Sequence, residues 1–308
     1  MLQLKGIELS YNRPILKTIN FEIAKGEIVG IVGKSGAGKS SLLKIIAGLI
    51  TPGNGELVLD GKRLPNANSL LIPGFSDFAM VNQDFKLDLY HSVEENIREA
   101  ILSLPIVERD KRVDKLLRLF ELQKIASSKA HLISGGEQQR LAIARAISKK
   151  PKLLVLDEPF GHLDSVLRQK MSEYLVQISQ EEEMAILLVS HDGQDVLGLC
   201  DSVCFLQNGK LSRKRNAEKV YYDCSNLSLA RLFGPVNRIV INENNYSFRP
   251  DEYEILEIGE VNLSFVRAVF AGGFYINYFL DANDASVILY GLTKLNGVNS
   301  IRISRKFN

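Results

Sequence analysis

Four short stretches hold residue types whose spacing could act on phosphates. Residues 33–40 read GKSGAGKS, placing Gly33, Gly38, Lys39 and Ser40 in a G-x-x-x-x-G-K-S pattern. Glycines let backbone amides converge on an anion, and Lys34, Ser35, Gly36, Ala37 and Ser41 complete the cradle. Lys39 adds a point charge suited to β and γ phosphates, and the Ser40 hydroxyl is a hard oxygen that can ligate Mg²⁺. In LLVLDEP, Asp157 and Glu158 follow four apolar residues. Asp157 can orient a magnesium-bound water, and Glu158 can polarise an attacking water as general base. VSHD places His191 at the end of another apolar run, within expected reach of a terminal phosphate. Lastly, Ser134, Gly135 and Gly136 open a helical pattern, which makes a second set of bare amides for an anion.

The surrounding patterns say how these groups are held. EIVGIVG, then the glycine loop, then SSLLKIIAGLI reads as strand, loop and helix, the start of a parallel α/β sheet. KLLVLDEP and MAILLVSHD read as two more buried strands, whose C-terminal ends are where ligands of open α/β sheets collect. LQLKGIELSY alternates as a strand, and VDKLLRLFEL places Val113, Leu116, Leu117 and Phe120 on one helix face. Residues 88–150 therefore form a helical insert. SVCFLQNGKL reads as a hairpin with an Asn-Gly turn, and the basic run KLSRKR at 210–215 reads as a solvated linker. After about Ser225 the texture changes to alternating segments broken by Asn-Asn, Gly-Gly and Asp turns, a small all-β domain.

Composition removes several classes. With 38 basic and 36 acidic residues, the net charge of +2 argues against a general nucleic-acid binder. No apolar run approaches the roughly 20 residues of a membrane span, and the N-terminal residues show no signal-peptide pattern. Cys200, Cys204 and Cys224 lack metal-site spacing and read as small, reduced apolar residues.

The phosphate loop, SGGEQ, LDEP and SHD occur in that order, and in this the chain resembles the ATP-binding cassette (ABC) ATPases over residues 1–222. The resemblance implies an α/β P-loop NTPase cassette: a mixed, largely parallel sheet core plus a helical subdomain. It implies an ATPase using ATP and Mg²⁺. Tyr11 matches the aromatic that stacks on adenine, while its period with Ile7 and Leu9 also allows a core position. Gln83 matches the glutamine that touches Mg²⁺ and the attacking water. Gly161 to Asp164 match the loop after the catalytic glutamate, and His191 matches the switch histidine. Ser134, Gly135 and Gly136 match the signature, which in this family caps the ATP of another subunit, so that two copies close head to tail on two nucleotides. Departures are Ile133 for leucine, Glu137 for glutamine and Gly161 for serine.

Residues 228–308 resemble the transport-associated, OB-like (TOBE) domain of importer ATPases, with LARLFGPVNRI and the RPD at Arg249–Asp251 as markers. Eight basic and eight acidic residues from 225 onward make a nucleic-acid funnel a poor fit, and a regulatory β domain a better one. The implied protein is an energy-coupling subunit on the cytoplasmic face of a bacterial inner membrane. Its implied partners are a second ATPase subunit, integral-membrane permeases and, indirectly, a substrate-binding protein. Relatives with such tails handle polyamines, ferric iron, sulfate, molybdate and sugars. Phe85, Leu87, Leu89 and Tyr90 either receive a permease helix or pack internally. The alternatives are an exporter ATPase with an added β tail, or a soluble ABC protein of translation or DNA repair.

Overall fold

The computed structural model describes residues 1–308 except Gln83, His162, Cys224, Ser225 and Asn308. The chain divides into two units, Met1–Arg215 and Asn216–Asn308. The first holds strands β1 (Leu2–Ser10), β2 (Pro14–Ile23) and β3 (Ile28–Val32), helix α1 (Lys39–Ile46), then β4 (Asn54–Leu59), β5 (Lys62–Arg63) and β6 (Phe78–Val81). Helices α2 (Val93–Ala100), α3 (Ile106–Leu119) and α4 (Gly135–Ile147) follow. The unit is completed by β7 (Leu153–Asp157), α5 (Ser165–Glu182), β8 (Ala185–Ser190), α6 (Gln194–Leu197), β9 (Ser202–Gln207) and β10 (Lys210–Leu211).

Two sheets make this unit. One is antiparallel in the order β2-β1-β4-β5; the other runs β10-β9-β3-β8-β7-β6. In the second sheet all neighbours are parallel except the β9–β10 hairpin. Its central strands, IVGIV and AILLVS, are buried throughout, as expected for a parallel sheet covered on both faces. Residues from both sheets and α1, including Leu4, Ile19, Ile31, Leu42, Val155 and Leu187, share one hydrophobic core. The register decides where chemistry can sit. Val32 pairs with Ser190, and Asp157 pairs with Val189. Three strands thus end at one edge, and their continuations leave from it together.

The helical insert is set by its own local signals. Ser92 and Glu95 form a reciprocal capping box at the start of α2. On α3, Val113, Leu116 and Leu117 are buried, as is Phe120 just beyond it. The basic run is largely solvated, as its charge suggests, but it is not a free linker. Val203 and Arg215 exchange backbone bonds at 2.8 and 3.0 Å, and Lys214 Nζ lies 2.8 Å from Glu27 Oε1, so 212–215 packs along β9.

The second unit holds α7 (Ala217–Tyr222), α8 (Leu227–Ala230), β11 (Asn237–Ile241), β12 (Asn244–Phe248), β13 (Tyr253–Ile255), β14 (Val261–Phe270), β15 (Tyr275–Asp281), β16 (Ser286–Gly291) and β17 (Ser300–Ile303). Its strands form an antiparallel pair, β11-β12, and a five-stranded antiparallel sheet, β13-β17-β14-β15-β16. Phe248, Phe279, Leu289 and Ile301 lie in its core. Helix α7, which sequence pattern groups with the first domain, belongs here. Arg249 explains why. It is fully buried, and its guanidinium donates to the carbonyls of Tyr221 (2.9 Å), Ala230 (3.0 Å), Gly234 (3.2 Å) and Pro235 (3.1 Å). It also stacks on the Tyr221 ring, 4.1 Å from its centre.

Candidate functional site

The glycine loop leaves β3 and enters α1. Gly38 is the helix N-cap with φ +102°, a conformation that disfavours any side chain. Gly33 is needed for a different reason: a Cβ there would sit 2.4 Å from the Leu206 carbonyl oxygen. Lys39 is 7% exposed, and its Nζ donates to the carbonyls of Gly33 at 2.8 Å and Lys34 at 3.1 Å. The ammonium is therefore folded over the loop that its own helix closes. Burial pulls its pKa down, while the charges of Glu158 and Asp157 oppose that fall.

Asp157 is the last residue of β7, and Glu158 follows in the left-handed region at φ +53°. The Glu158 amide donates to Val189 O at 2.9 Å, which ties this turn to β8. Burial raises the Asp157 carboxyl above its ordinary range; the Ser40 hydroxyl bonded to it pulls it back, and the Glu158 charge adds to the rise. Ser40 and Asp157 thus form a pair of hard oxygens beside the phosphate loop, a donor set that fits Mg²⁺ with its retained waters. Among the described residues no group of three or more His, Cys, Asp or Glu is arranged to hold a metal.

His191 leaves β8 at the same edge, and its Nδ1 lies 3.0 Å from Glu158 Oε1. The turn that carries it is braced from behind. Ser190 Oγ donates to Asp195 Oδ2 at 2.6 Å and accepts from the Asp192 amide at 3.0 Å. Arg168 of α5 lies 3.0 Å from Asp195. Arg168 and Asp195 were not singled out from sequence; their signal, a charged pair 27 positions apart, appears only when α5 packs beside α6.

The second anion-type helix start is also formed. Ser134 caps α4, its Oγ donating to Glu137 Oε2 at 2.7 Å and accepting from the Glu137 amide at 3.4 Å. The Ser134 amide donates to the same carboxylate at 2.8 Å. These bonds hold the Glu137 carboxyl below its ordinary range, the hydroxyl bond contributing most. Tyr11 is 64% exposed, so it is not a core residue. Asp164 caps α5, accepting from Val166 and Leu167 at 2.9 Å each. Gln83 and His162 lie outside the described residues.

Comparison with known proteins gives the family of this fold. Residues 16–161 match the ABC transporter family. The ATP-binding cassette MJ0796, solved as a dimer bound to ADP and Pi, superposes with a TM-score of 0.62 at 30% identity, over 70% of this chain and 99% of that one. The chain belongs to the ABC transporter family. CbiO1 from Clostridium perfringens, described as part of the ABC transporter complex CbiONQ, gives a TM-score of 0.65 at 28% identity over 71% of this chain and 90% of that one. The spermidine/putrescine import ATP-binding protein PotA of Vibrio parahaemolyticus is 32% identical over 77% of this chain. The putrescine transport ATP-binding protein PotG of Escherichia coli is 33% identical over 77%. The chain spans about 63% of the length of these two curated relatives.

In this ABC cassette the structure brings Lys39, Ser40, Asp157, Glu158 and His191 to one sheet edge, and it keeps Ser134–Gly136 on the start of a separate helix. Near the insert, Leu89 and Tyr90 are exposed, and Phe85 and Leu87 are partly buried, so the segment does not pack wholly inward. Among the described residues no helix is long and apolar enough to cross a membrane.

Proposed function

We propose that this chain is the ATP-hydrolysing, energy-coupling subunit of a bacterial importer, peripheral to the membrane and working with separate permease subunits. The observation that carries the reading is the meeting of Lys39, Ser40, Asp157, Glu158 and His191 at one edge of the parallel sheet. The loop amides and Lys39 bind the β and γ phosphates of ATP. Tyr11, exposed just past β1, offers its ring to the adenine. Mg²⁺, when bound, neutralises phosphate charge; Ser40 would hold it directly and Asp157 through water, with Gln83 assigned to it by family pattern. Glu158 accepts the proton of the attacking water, and His191 orients that carboxylate through Nδ1. Ser134, Gly135 and Gly136 cap the γ-phosphate held by a second copy, which makes the nucleotide part of the dimer interface. The second unit serves as a TOBE-like regulatory domain. The name of PotA, an import ATP-binding protein, supports import over export, and no residue of this subunit need meet the cargo.

The test uses Glu158→Gln in the full chain. Loss of the general base lowers turnover by about 10²–10⁴-fold while ATP binding persists. With hydrolysis blocked, sedimentation in Mg-ATP shows a dimer that ADP does not support. Near-native turnover, or a chain that stays monomeric in ATP, refutes the reading.

A further inference from the structure

Two helices of the first unit begin at parts of this machinery. Helix α4, 13 residues, starts at the Ser134 cap, and α5, 18 residues, starts at Asp164 shortly after Glu158. At 1.5 Å per residue they run about 20 and about 27 Å. Their far ends meet at one side chain. Arg112 of α3 is 7% exposed. Its Nη2 donates to the carbonyl of Ile147, the last residue of α4, at 2.7 Å, and its Nε donates to Ser148 O at 3.3 Å. The same guanidinium is bidentate to Glu182, the last residue of α5, with Nη2 to Oε2 at 3.0 Å and Nη1 to Oε1. One planar group therefore caps the carbonyl end of α4 and ion-pairs the end of α5.

A second tie lies nearer the helix middles. Glu121, just past α3, accepts from Lys170 Nζ at 2.8 Å and Tyr174 Oη at 3.0 Å, both on α5, and lies 3.7 Å from Arg140 of α4. Lys115 adds a bond to Glu181 at 2.7 Å. The outer pairs are half exposed and contribute little to stability. The buried Arg112–Glu182 pair is different. Its desolvation cost offsets much of its attraction, so well-packed apolar residues would serve stability equally well. What apolar residues cannot supply is a rigid fork that fixes two helix ends at a set angle while satisfying open carbonyls.

We propose that Arg112 and Glu182 are positioning residues that fix the signature helix α4 against α5, so that Ser134 is presented in register to the phosphate loop of a second copy. This rests on the ATP-closed dimer proposed above. Arg112 touches neither nucleotide nor reacting atoms. Its effect falls on closure and not on loading of the phosphate loop.

The experiment compares full-length Glu158→Gln with the same chain carrying Arg112→Met and Glu182→Leu. The apolar pair avoids leaving a lone buried charge. Sedimentation in Mg-ATP reads dimerisation, and a fluorescent ATP analogue titrated into dilute, monomeric protein reads loading. Closure weakens by about tenfold, and loading changes by less than about twofold, the scale expected for coupling residues remote from the ligand. Glu182→Gln, which keeps the shape and one acceptor, gives a smaller loss of closure in the same direction and stands alone if the double change does not fold. Folded variants that close like the parent overturn the proposal. So does a loss of loading equal to the loss of closure, since that marks general disruption. If the Glu158→Gln parent itself fails to dimerise, the sandwich is wrong and this inference falls with it.

Discussion

Glu137→Gln should tighten ATP-driven closure, and the size of the gain follows from the Ser134 hydrogen bonds. A hydroxyl has one proton to give. In this structure Ser134 Oγ gives it to the Glu137 carboxylate at 2.7 Å, and that carboxylate also holds the Ser134 amide at 2.8 Å. To meet an incoming γ-phosphate, Ser134 must turn its proton away from one anion toward another. The exchange swaps one charge-assisted bond for a second and nets little. Glutamine keeps the capping pattern, because Ser-x-x-Gln caps as Ser-x-x-Glu does. It replaces the charged acceptor by a neutral one, whose bond is weaker by about 1 kcal/mol. Two signatures act per dimer, so closure gains about 2 kcal/mol, which is about 30-fold in the dimer dissociation constant. Removing a negative charge beside the phosphate acts in the same direction. The assay is sedimentation of Glu158→Gln with and without Glu137→Gln across an Mg-ATP titration. The nucleotide-free chain should lose about 1 kcal/mol, the weakening of that same cap bond, so tighter closure from a slightly less stable chain separates the effect from general stabilisation. Unchanged or looser closure would refute the competition between carboxylate and phosphate for the Ser134 proton.

Three further outcomes are expected. Glu183 ends α5 at φ +50°, so Glu183→Gly relieves a left-handed non-glycine residue and removes an anion from a helix C-terminus; urea unfolding should show a gain of about 1 kcal/mol. Arg249→Met leaves four carbonyls without their donor and should lower the thermal transition of the second unit by about 10 °C or more in calorimetry, with an unchanged scan counting against the role given to Arg249. The carboxyls of Glu95 and Glu137 are held below their ordinary range by the backbone and hydroxyl of Ser92 and by the hydroxyl and backbone of Ser134, respectively. Folded pKa values below the unfolded ones contribute stability that is complete above the ordinary carboxylate range and lost as pH falls from that range through the lowered folded values. The Glu95→Gln, Glu137→Gln chain should therefore show a shallower loss of stability below about pH 5, and an unaltered slope would reject the assignment.

The parts of this fold legible in the sequence were those fixed by neighbours in the chain. IVGIV, LLVLD and AILLVS read as buried strands because a covered parallel strand needs no polar face, and the residues at their ends pointed to one sheet edge. The QNGK hairpin was legible for a similar local reason, with both Asn208 and Gly209 at positive φ. What depended on distant packing was not. Alternation marked β1 as a strand but did not show the register shift between Leu4 and Ile7, where Gly6 has φ +61°. The shift keeps Leu2, Leu4, Ile7 and Leu9 all inside. Tyr11 lies past the end of β1, in the turn before β2, so its period with Ile7 and Leu9 did not carry it into the core. KLSRKR looked like a linker because its charge hides the backbone pairing that extends the hairpin back to Val203, and because Glu27, the partner of Lys214, is far away in sequence. The same holds at the site. Lys39, Asp157, Glu158 and His191 announce themselves by type and position, whereas Arg168 and Asp195 act by holding a turn and have no local signature.

The four carbonyls served by Arg249 all precede it, by 14 to 28 positions. On the ribosome, α7, α8 and the turn after them are made before the arginine that bonds to their carbonyls. At about 5–20 residues per second that wait lasts a few seconds, and the segment passes it without that donor. Translation speed further on, while residues 221–235 have left the ribosome and Arg249 has not, thus becomes a physical variable for this protein: a pause then leaves these carbonyls without that donor, and the arrival of one arginine supplies it.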